Sequence, residues 1–134
     1  MPELHSGMTQ AYKAFKASHK IDIGRKLTEF VSLAVPDMTH IMVLARLVEA
    51  GQGGASLSHL RTGVQAPKSE VSAVLTRFKS MGILESRGLI GKKYFLPRGE
   101  PRSELAMRLV KLWQHPQGHA SVLEVIKENA SRRK

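Results

Sequence analysis

The sequence has no cysteine and few aromatic residues, and both shortages narrow the class of protein that it encodes. Its 134 residues include no Cys, 1 Trp, 2 Tyr and 4 Phe. Without cysteine there are no disulfides, thiolate metal ligands or cysteine nucleophiles. A hydrophobic fraction of 42% with 5% aromatics is typical of a helical core of Leu, Val, Ile and Met. We expect a single domain, residues 1–134, that folds without cross-links.

Long apolar runs are also missing. The longest is Ile41-Met-Val-Leu-Ala, whereas a membrane-spanning helix needs about 20 apolar residues. The first residues, Met1-Pro-Glu-Leu-His-Ser, show no basic region followed by an apolar stretch. We therefore expect a soluble, cytoplasmic protein with no membrane partner.

Catalytic and metal-binding patterns are equally scarce. The 11 acidic residues are dispersed, and no nucleophile, base and orienting acid occur in a recognisable arrangement. Of the six histidines, only His115 and His119 have a spacing suited to one metal on one helical turn. Pro116 and Gly118 lie between them and are expected to disrupt that turn. The sequence therefore predicts no enzyme, no metal site and no cofactor.

Positive charge is abundant and unevenly distributed. The chain carries 21 Lys and Arg against 11 Asp and Glu, a net charge of +10. Residues 61–98 contain eight basic and two acidic residues, so this segment alone contributes +6 of the +10. Such an excess favours a polyanionic partner. The alternative is a basic face that is simply solvated.

A short helix, a turn and a longer helix are predicted inside this basic segment. Ser56 is a good N-cap for a helix reaching to about Gly63, and Gln65-Ala66 makes the turn. Pro67 is predicted at the first position of the longer helix, which Met81-Gly82-Ile83 ends. The inward residues are expected to be Leu57, Leu60 and Val64 in the first helix, and Val71, Val74, Leu75 and Phe78 in the second.

The opposite face of the longer helix is small and polar. A helix that enters the major groove, which is about 12 Å wide, must offer hydrogen-bonding groups to base edges and phosphates. Arg77, at the edge of this face, is expected to hold a phosphate. The alternative is that these side chains merely tolerate solvent. The candidate DNA-binding residues of the helix are Lys68, Ser69, Ser72, Thr76 and Arg77.

A basic β-hairpin is predicted next, with strands at 83–87 and 92–96, a Gly88-Leu-Ile-Gly loop, and Pro97 ending the second strand. Arg87, Lys92 and Lys93 then lie near one loop and complete the candidate DNA-binding set as phosphate ligands. Alternatively, the basic edge only discourages strand pairing. Minor-groove readers usually insert arginine, so Leu89 and Ile90 are not expected to read bases but to pack on a neighbour.

Helices are also predicted around this central region. They span 8–19, 23–35, a segment capped by Asp37 and ended by Gly51, 103–114 and 119–130, with a break at Pro116-Gln-Gly118. The third has its stripe at Met38, Ile41, Met42, Ala45 and Val48, and a flexible Gly51-Gln-Gly-Gly connection follows. The terminal segments, 8–35 and 101–130, are expected to form a dimer interface that includes Tyr12, Phe15, Leu109, Leu112 and Trp113.

Two stretches carry a resemblance to a known group: Ala66-Pro-Lys-Ser-Glu-Val-Ser-Ala-Val-Leu-Thr-Arg-Phe-Lys-Ser-Met-Gly-Ile-Leu-Glu-Ser-Arg-Gly and Lys92-Lys-Tyr-Phe-Leu-Pro. Across residues 38–98 the chain resembles winged helix-turn-helix bacterial transcriptional regulators of the broad MarR and Rrf2 type. The resemblance implies a mainly α fold with a small β-hairpin, a winged helix-turn-helix at 37–97 flanked by extra helices.

The same resemblance implies function. Such regulators bind double-stranded operator DNA as homodimers, with the recognition helix in the major groove and the wing on the backbone. Two departures matter: Ala73 stands where many members carry a longer contact residue, and the lack of cysteine excludes iron–sulfur sensing. A second interpretation is a winged-helix scaffold for protein interactions or chromosome association, with non-specific DNA binding. The operator, the direction of regulation and any small-molecule effector stay undefined at this stage.

Overall fold

The structure, a computed structural model, describes residues 22–132. It is mainly helical with one small antiparallel sheet, which confirms the predicted fold class at this level. The helix predicted at 8–19 lies outside the described residues. In chain order the elements are α1 (Arg25–Ala34), α2 (Met38–Ala50), a 3₁₀ turn (Gly51–Gly53), α3 (Leu57–Arg61), α4 (Lys68–Ser80), β1 (Glu85–Arg87), β2 (Lys93–Phe95), α5 (Pro101–Gln114) and α6 (Pro116–Arg132).

Local capping explains where α2 and α3 begin, and a proline and a glycine flank α4. The Asp37 carboxylate accepts a hydrogen bond from the His40 N–H at 3.1 Å, and the Ser56 hydroxyl accepts one from the His59 N–H at 3.2 Å. Both caps were predicted, and each satisfies a helix-start N–H that has no partner within the helix. Pro67 is the N-cap of α4, one position before the predicted one, and Gly82 follows the helix with a φ of 74°.

The buried face of α4 is as predicted, whereas that of α2 is rotated. All four apolar residues predicted to lie inward on α4 are buried. On α2, Met38 is 39% exposed, and Met42, Ala45 and Val48 are only partly buried. The helix is enclosed by α3, α4 and β2 as well as by α5, and these neighbours set the buried sector. The buried residues of α2 are His40, Ile41, Val43, Leu44 and Leu47.

The predicted break between the last two helices is present, but it lies at His115, which has an extended backbone, and not at Pro116-Gln-Gly118. Helix α6 begins at Pro116, where a proline loses no helical hydrogen bond, and it continues through Gly118. Gly118 is buried, and a Cβ at this position would lie 2.4 Å from the carbonyl oxygen of Leu112. The glycine therefore permits α6 to pass close to the end of α5 instead of interrupting the helix.

The core extends beyond the central helices and corrects the predicted dimer interface. Helices α5 and α6 pack on each other and on α1, and α5 also packs on α2. Leu109 has 0% exposure within the single chain, so it is a core residue and not an interface residue. Leu112 and Trp113 are half-buried against the same core, while Tyr12 and Phe15 lie outside the described residues.

Polar side chains join distant parts of this core. The Asn129 amide donates to the carbonyl oxygens of Val31 at 3.2 Å and Val35 at 3.4 Å, at the C-terminal end of α1, where the Val31 carbonyl also accepts from the Val35 N–H. The buried Ser103 hydroxyl donates to the Ile83 carbonyl at 2.7 Å. These bonds fix α6 to α1 and α5 to the start of the hairpin.

Within residues 22–132, no single helix is both long and apolar enough to cross a membrane. The segments Arg25–Ala34 and Met38–Gly53 are long and apolar enough only when they are taken together, and the chain bends by 110° between them.

Candidate nucleic-acid interface

Helix α4 is held by α3 and by the turn between them. The turn is closed by hydrogen bonds from the Val64 N–H to the Arg61 carbonyl at 3.0 Å and from the Ala66 N–H to the Val64 carbonyl at 2.9 Å. Leu60 and Val64 are buried, and α3 packs directly on α4. The short helix therefore anchors the inner side of α4 and leaves its outer side facing solvent.

The outer side of α4 brings together most of the helix residues predicted to bind DNA. Arg77 is half-buried at its edge, consistent with an apolar stem that packs on the helix and a charged end that reaches outward. Because its central side chains are small, this surface can approach another molecule closely. We call it the α4 face; its exposed residues are Lys68, Ser69, Ser72, Ala73 and Thr76.

The hydroxyls of the α4 face differ in what they offer. The Thr76 hydroxyl donates to the Ser72 carbonyl at 3.0 Å, so the exposed Thr76 side chain retains only acceptor capacity at its hydroxyl, beside its methyl group. Ser69 and Ser72 have no side-chain hydrogen bond within residues 22–132 and retain both donor and acceptor capacity. The three residues therefore offer different hydrogen-bonding patterns along one helix.

Glu70 was not singled out by sequence reasoning. Its carboxylate accepts a hydrogen bond from the Thr39 hydroxyl at 3.2 Å, which connects the start of α4 to α2. A carboxylate in the first helical turn also interacts favourably with the positive end of the helix dipole. The spacing of 31 residues between the partners gave no sequence signal for this contact.

The hairpin is anchored on a segment for which no sheet pairing was predicted. Its register pairs Arg87 with Lys93, and the backbone of Ala55 pairs with Tyr94 on the other side of β2. The Gln52 amide donates to the Leu96 carbonyl at 2.7 Å. The glycine-rich segment predicted to be a flexible connection is therefore a 3₁₀ turn that holds the hairpin beside α2.

The three basic hairpin residues lie near one end, as predicted, but they are not equivalent. Arg87 donates to the Gln52 carbonyl, and its guanidinium lies 4.2 Å from the centre of the Phe95 ring. Lys92 and Lys93 are exposed and have no side-chain partner within the described residues. The two lysines are thus free to bind an anion, whereas Arg87 also has a structural role.

Helix α4 and the hairpin are linked directly. The Lys79 ammonium donates to the Ser86 hydroxyl at 2.9 Å, joining the last turn of α4 to β1. At the far end of the hairpin, Leu89 and Ile90 are 102% and 97% exposed. The neighbour predicted for these two residues is therefore absent from the described chain.

The histidine pair considered for metal binding, His115 and His119, lies at the junction of α5 and α6. No group of three or more His, Cys, Asp or Glu within residues 22–132 is arranged to hold a metal ion. His119 stacks on Trp113 with ring centres 3.9 Å apart, and His115 accepts a hydrogen bond from the Gln117 N–H. Pro116 and Gly118 lie within α6 and do not interrupt it, but His115 lies outside both helices with an extended backbone, so the two histidines do not belong to one helix.

One titratable pair is built into the cap of α2. The buried His40 ring places Nδ1 at 2.6 Å from the Asp37 carboxylate. Burial by itself raises the pKa of Asp37, but hydrogen bonds from the His40 side chain and backbone, together with its charge, outweigh burial and hold that pKa below its ordinary value of 3.8. The pair therefore stabilises the start of α2.

Comparison of the chain with protein-family profiles, curated proteins and solved structures finds no significant match in any of the three.

Proposed function

We propose that this chain is a winged-helix transcriptional regulator that binds double-stranded DNA, with α4 in the major groove and the hairpin as a wing on the phosphate backbone. The observation that carries the proposal is the α4 face itself. It is a narrow, exposed helix surface with three small hydroxyl residues, a lysine at its start and an arginine at its edge.

The distribution of charge supports the same partner. Lys92 and Lys93 stand on the hairpin that Lys79 and Ser86 fasten to α4. A helix in the major groove with an adjacent basic hairpin has base-reading groups and phosphate-binding groups side by side, which is the division of labour expected at a DNA interface. The net charge of +10 adds long-range attraction to a polyanion.

We also propose that the regulator acts as a homodimer. One recognition helix contacts only a few base pairs, and two copies on one DNA supply the specificity that a genome demands. With Leu109 inside the core, the surfaces available for pairing are the outer sides of α1, α5 and α6. Apolar residues that reach these surfaces include Leu33, which is 46% exposed on α1, and the half-buried Leu112 and Trp113 on α5.

A gel-shift titration against genomic fragments and competitor DNA, at two salt concentrations, tests the proposal. A regulator retains a preferred site when the salt concentration rises, because base contacts do not depend on counterion release. Sequencing the bound fragments should then reveal a palindromic motif. Absence of any duplex binding at low salt would refute the proposal.

A second candidate is a chromosome-associated scaffold with non-specific DNA binding. The exposed Leu89 and Ile90 favour it, because an apolar loop tip carries no hydrogen-bonding code for bases. This candidate predicts binding that is insensitive to sequence and falls steeply with salt.

A further inference from the structure

The hairpin ends in two apolar side chains that the fold does not use. Leu89 and Ile90 are 102% and 97% exposed, and they lie between Gly88 and Gly91, which have φ angles of 93° and 67°. Glycine adopts such angles without strain, so the loop can turn sharply and present both side chains outward. Because neither side chain packs on the core, core stability does not explain their apolar character.

The surroundings of this tip are strongly basic. Residues 86–99 contain four basic residues and no acidic one, and Lys92 and Lys93 directly follow the tip. A partner that suits this surface has anionic groups at its rim and apolar surface within reach between them. Duplex DNA has this arrangement, because phosphates line each groove and stacked bases lie inside it.

An anionic membrane surface also combines anionic groups with an apolar interior, but two aliphatic side chains are too small to anchor the protein to a membrane. A single myristoyl chain binds membranes only marginally, with an association constant of about 10⁴ M⁻¹. The side chains of Leu89 and Ile90 together bring fewer carbon atoms than such a chain. Moreover, the Lys79 ammonium in the last turn of α4 donates to the Ser86 hydroxyl, so the base of the hairpin lies next to α4, whose exposed face suits DNA.

The length of the loop matches the depth of the minor groove. Five residues, 88–92, lie between the last paired residues, Arg87 and Lys93. Out and back, such a loop extends at most about 9 Å. The minor groove is about 6 Å wide and about 7.5 Å deep, so two aliphatic side chains at the tip can reach base edges while the lysines stay at the phosphates.

We propose that Leu89 and Ile90 form an apolar wedge that enters the DNA minor groove beside the α4 site, partly unstacks one base step and kinks the duplex. This inference rests on the proposed function and deepens it. Leucine and isoleucine are among the residues that act as such wedges in minor-groove proteins, and the resulting kinks run to about 20–90° toward the major groove.

The wedge also defines a sequence preference without hydrogen bonds. Pyrimidine–purine steps such as TA and CA unstack most easily. The minor groove lies about half a helical turn, or about five base pairs, from the centre of the major-groove site. We therefore expect the protein to favour sites with a TA or CA step at that distance.

Ligase-mediated ring closure tests the wedge without knowledge of the operator. A DNA fragment of about 100 bp is shorter than the persistence length of about 150 bp and closes poorly unless it is kinked. The full-length protein should raise the yield of circles about tenfold. The variant Leu89→Ala with Ile90→Ala should lose this stimulation while it still binds linear DNA, and its thermal midpoint should not change because both side chains are exposed.

Two control variants distinguish the wedge from two other effects: the loss of any exposed apolar side chain, and a weaker affinity for DNA. Met38→Ala removes an exposed apolar side chain from α2, which lies in neither the proposed DNA interface nor the proposed pairing surface, and should leave ring closure unchanged. Lys92→Ala should weaken binding but leave the stimulation per bound molecule intact. If the unmodified protein binds linear DNA and does not raise ring closure, or if the double variant still raises it, the wedge is refuted while DNA binding stands.

Other results would assign the tip to a different partner. If no linear duplex is bound at low salt, the proposed function fails together with the wedge. If the double variant loses co-sedimentation with phosphatidylserine vesicles or loses self-association in sedimentation velocity, while ring closure is unaffected, the tip belongs to a lipid surface or to a second copy of the chain. Either of these results overturns the wedge.

Discussion

The backbones of Ala55 and Tyr94 exchange two hydrogen bonds, with N–O distances of 2.9 and 2.8 Å. This pairing attaches the outer edge of β2 to the segment between the 3₁₀ turn and α3. Gly54 precedes it with a φ of 80°, and a Cβ at that position would lie 3.0 Å from the Tyr94 carbonyl oxygen and 3.1 Å from the Lys93 Cβ. The position of the hairpin thus depends on a glycine that sequence reasoning assigned to a simple connection.

Replacing Gly54 by alanine should destabilise the protein and loosen the hairpin. An L-residue at positive φ costs about 1–2 kcal/mol, and the two close contacts add to that cost. We expect denaturant unfolding to show a loss of about 1–3 kcal/mol. Gly53→Ala is the matched control, since a Cβ there meets nothing within 4 Å. Equal stability of the two variants would contradict the role assigned to the Ala55–Tyr94 pairing.

Removing the basic groups at the proposed interface should weaken binding to every DNA sequence alike. Arg77→Ala and Lys92→Ala each delete one proposed phosphate contact. The slope of log affinity against log salt concentration should therefore decrease by about one unit for each variant. Fluorescence anisotropy with a labelled duplex at several salt concentrations measures both quantities.

Lys127→Ala provides a charge-matched control for this experiment. Lys127 is exposed on α6, which packs on α5 and α1. Its loss should lower the net charge equally but leave the salt slope nearly unchanged. If Arg77→Ala and Lys92→Ala keep the slope and affinity of the unmodified protein, the basic footprint proposed for this face is wrong.

Changes at the hydroxyls of the α4 face should alter which sequence is preferred. Ser69→Ala removes a hydroxyl with no partner in the described chain, and Thr76→Ala removes a methyl group and an acceptor. Each good base contact discriminates by about 1–3 kcal/mol, so the ranking of sites should shift while non-specific affinity stays constant. Selection from a random duplex library measures the ranking.

Thr76→Ser separates the two contributions of Thr76. Serine keeps a hydroxyl able to donate to the Ser72 carbonyl and loses only the methyl group. A methyl contact to thymine predicts that Thr76→Ser behaves like Thr76→Ala, whereas an accepted hydrogen bond predicts that it behaves like the unmodified protein. Identical site rankings for all three proteins would exclude Thr76 from base contact.

Local rules predicted those parts of the fold that depend on neighbours in sequence. The caps at Asp37 and Ser56 and the buried face of α4 follow from side-chain chemistry within one helical turn. The buried side of α2 did not follow, because α3, α4, α5 and β2 all pack on that helix and its sequence is apolar on more than one side. The partner of Arg87 lies 35 residues earlier, and no local pattern encodes that distance.

Gly118→Ala should be destabilising although alanine is the better helix former. In an open helix the exchange would gain about 1 kcal/mol. Here the new Cβ would lie 2.4 Å from the Leu112 carbonyl oxygen, which is backbone and cannot rotate away. We expect a net loss of about 1–3 kcal/mol in denaturant unfolding, as in other overpacked sites. Gln117→Ala, at an exposed position in the same turn, should be nearly neutral, and a stabilised Gly118→Ala would contradict the close packing of α5 and α6.

The stability supplied by Asp37 should depend on pH in a defined direction. Because its pKa is held below 3.8 in the folded state, the stabilisation is complete above the unfolded value and is lost as the pH falls through the folded pKa. Asp37→Asn keeps a capping oxygen but has no charge at any pH. At pH 5 we expect it to be less stable than the unmodified protein by about 0.5–1 kcal/mol.

Unfolding measured in steps from pH 5 to pH 2.5 checks this prediction. The free-energy difference between the unmodified protein and Asp37→Asn should shrink as the carboxylate becomes protonated. Asp37→Ala serves as the comparison, because it removes the cap itself and should stay about 1 kcal/mol less stable than Asp37→Asn at every pH. A difference between the unmodified protein and Asp37→Asn that stays constant or grows toward low pH would show that the contact between Asp37 and His40 does not depend on the carboxylate charge.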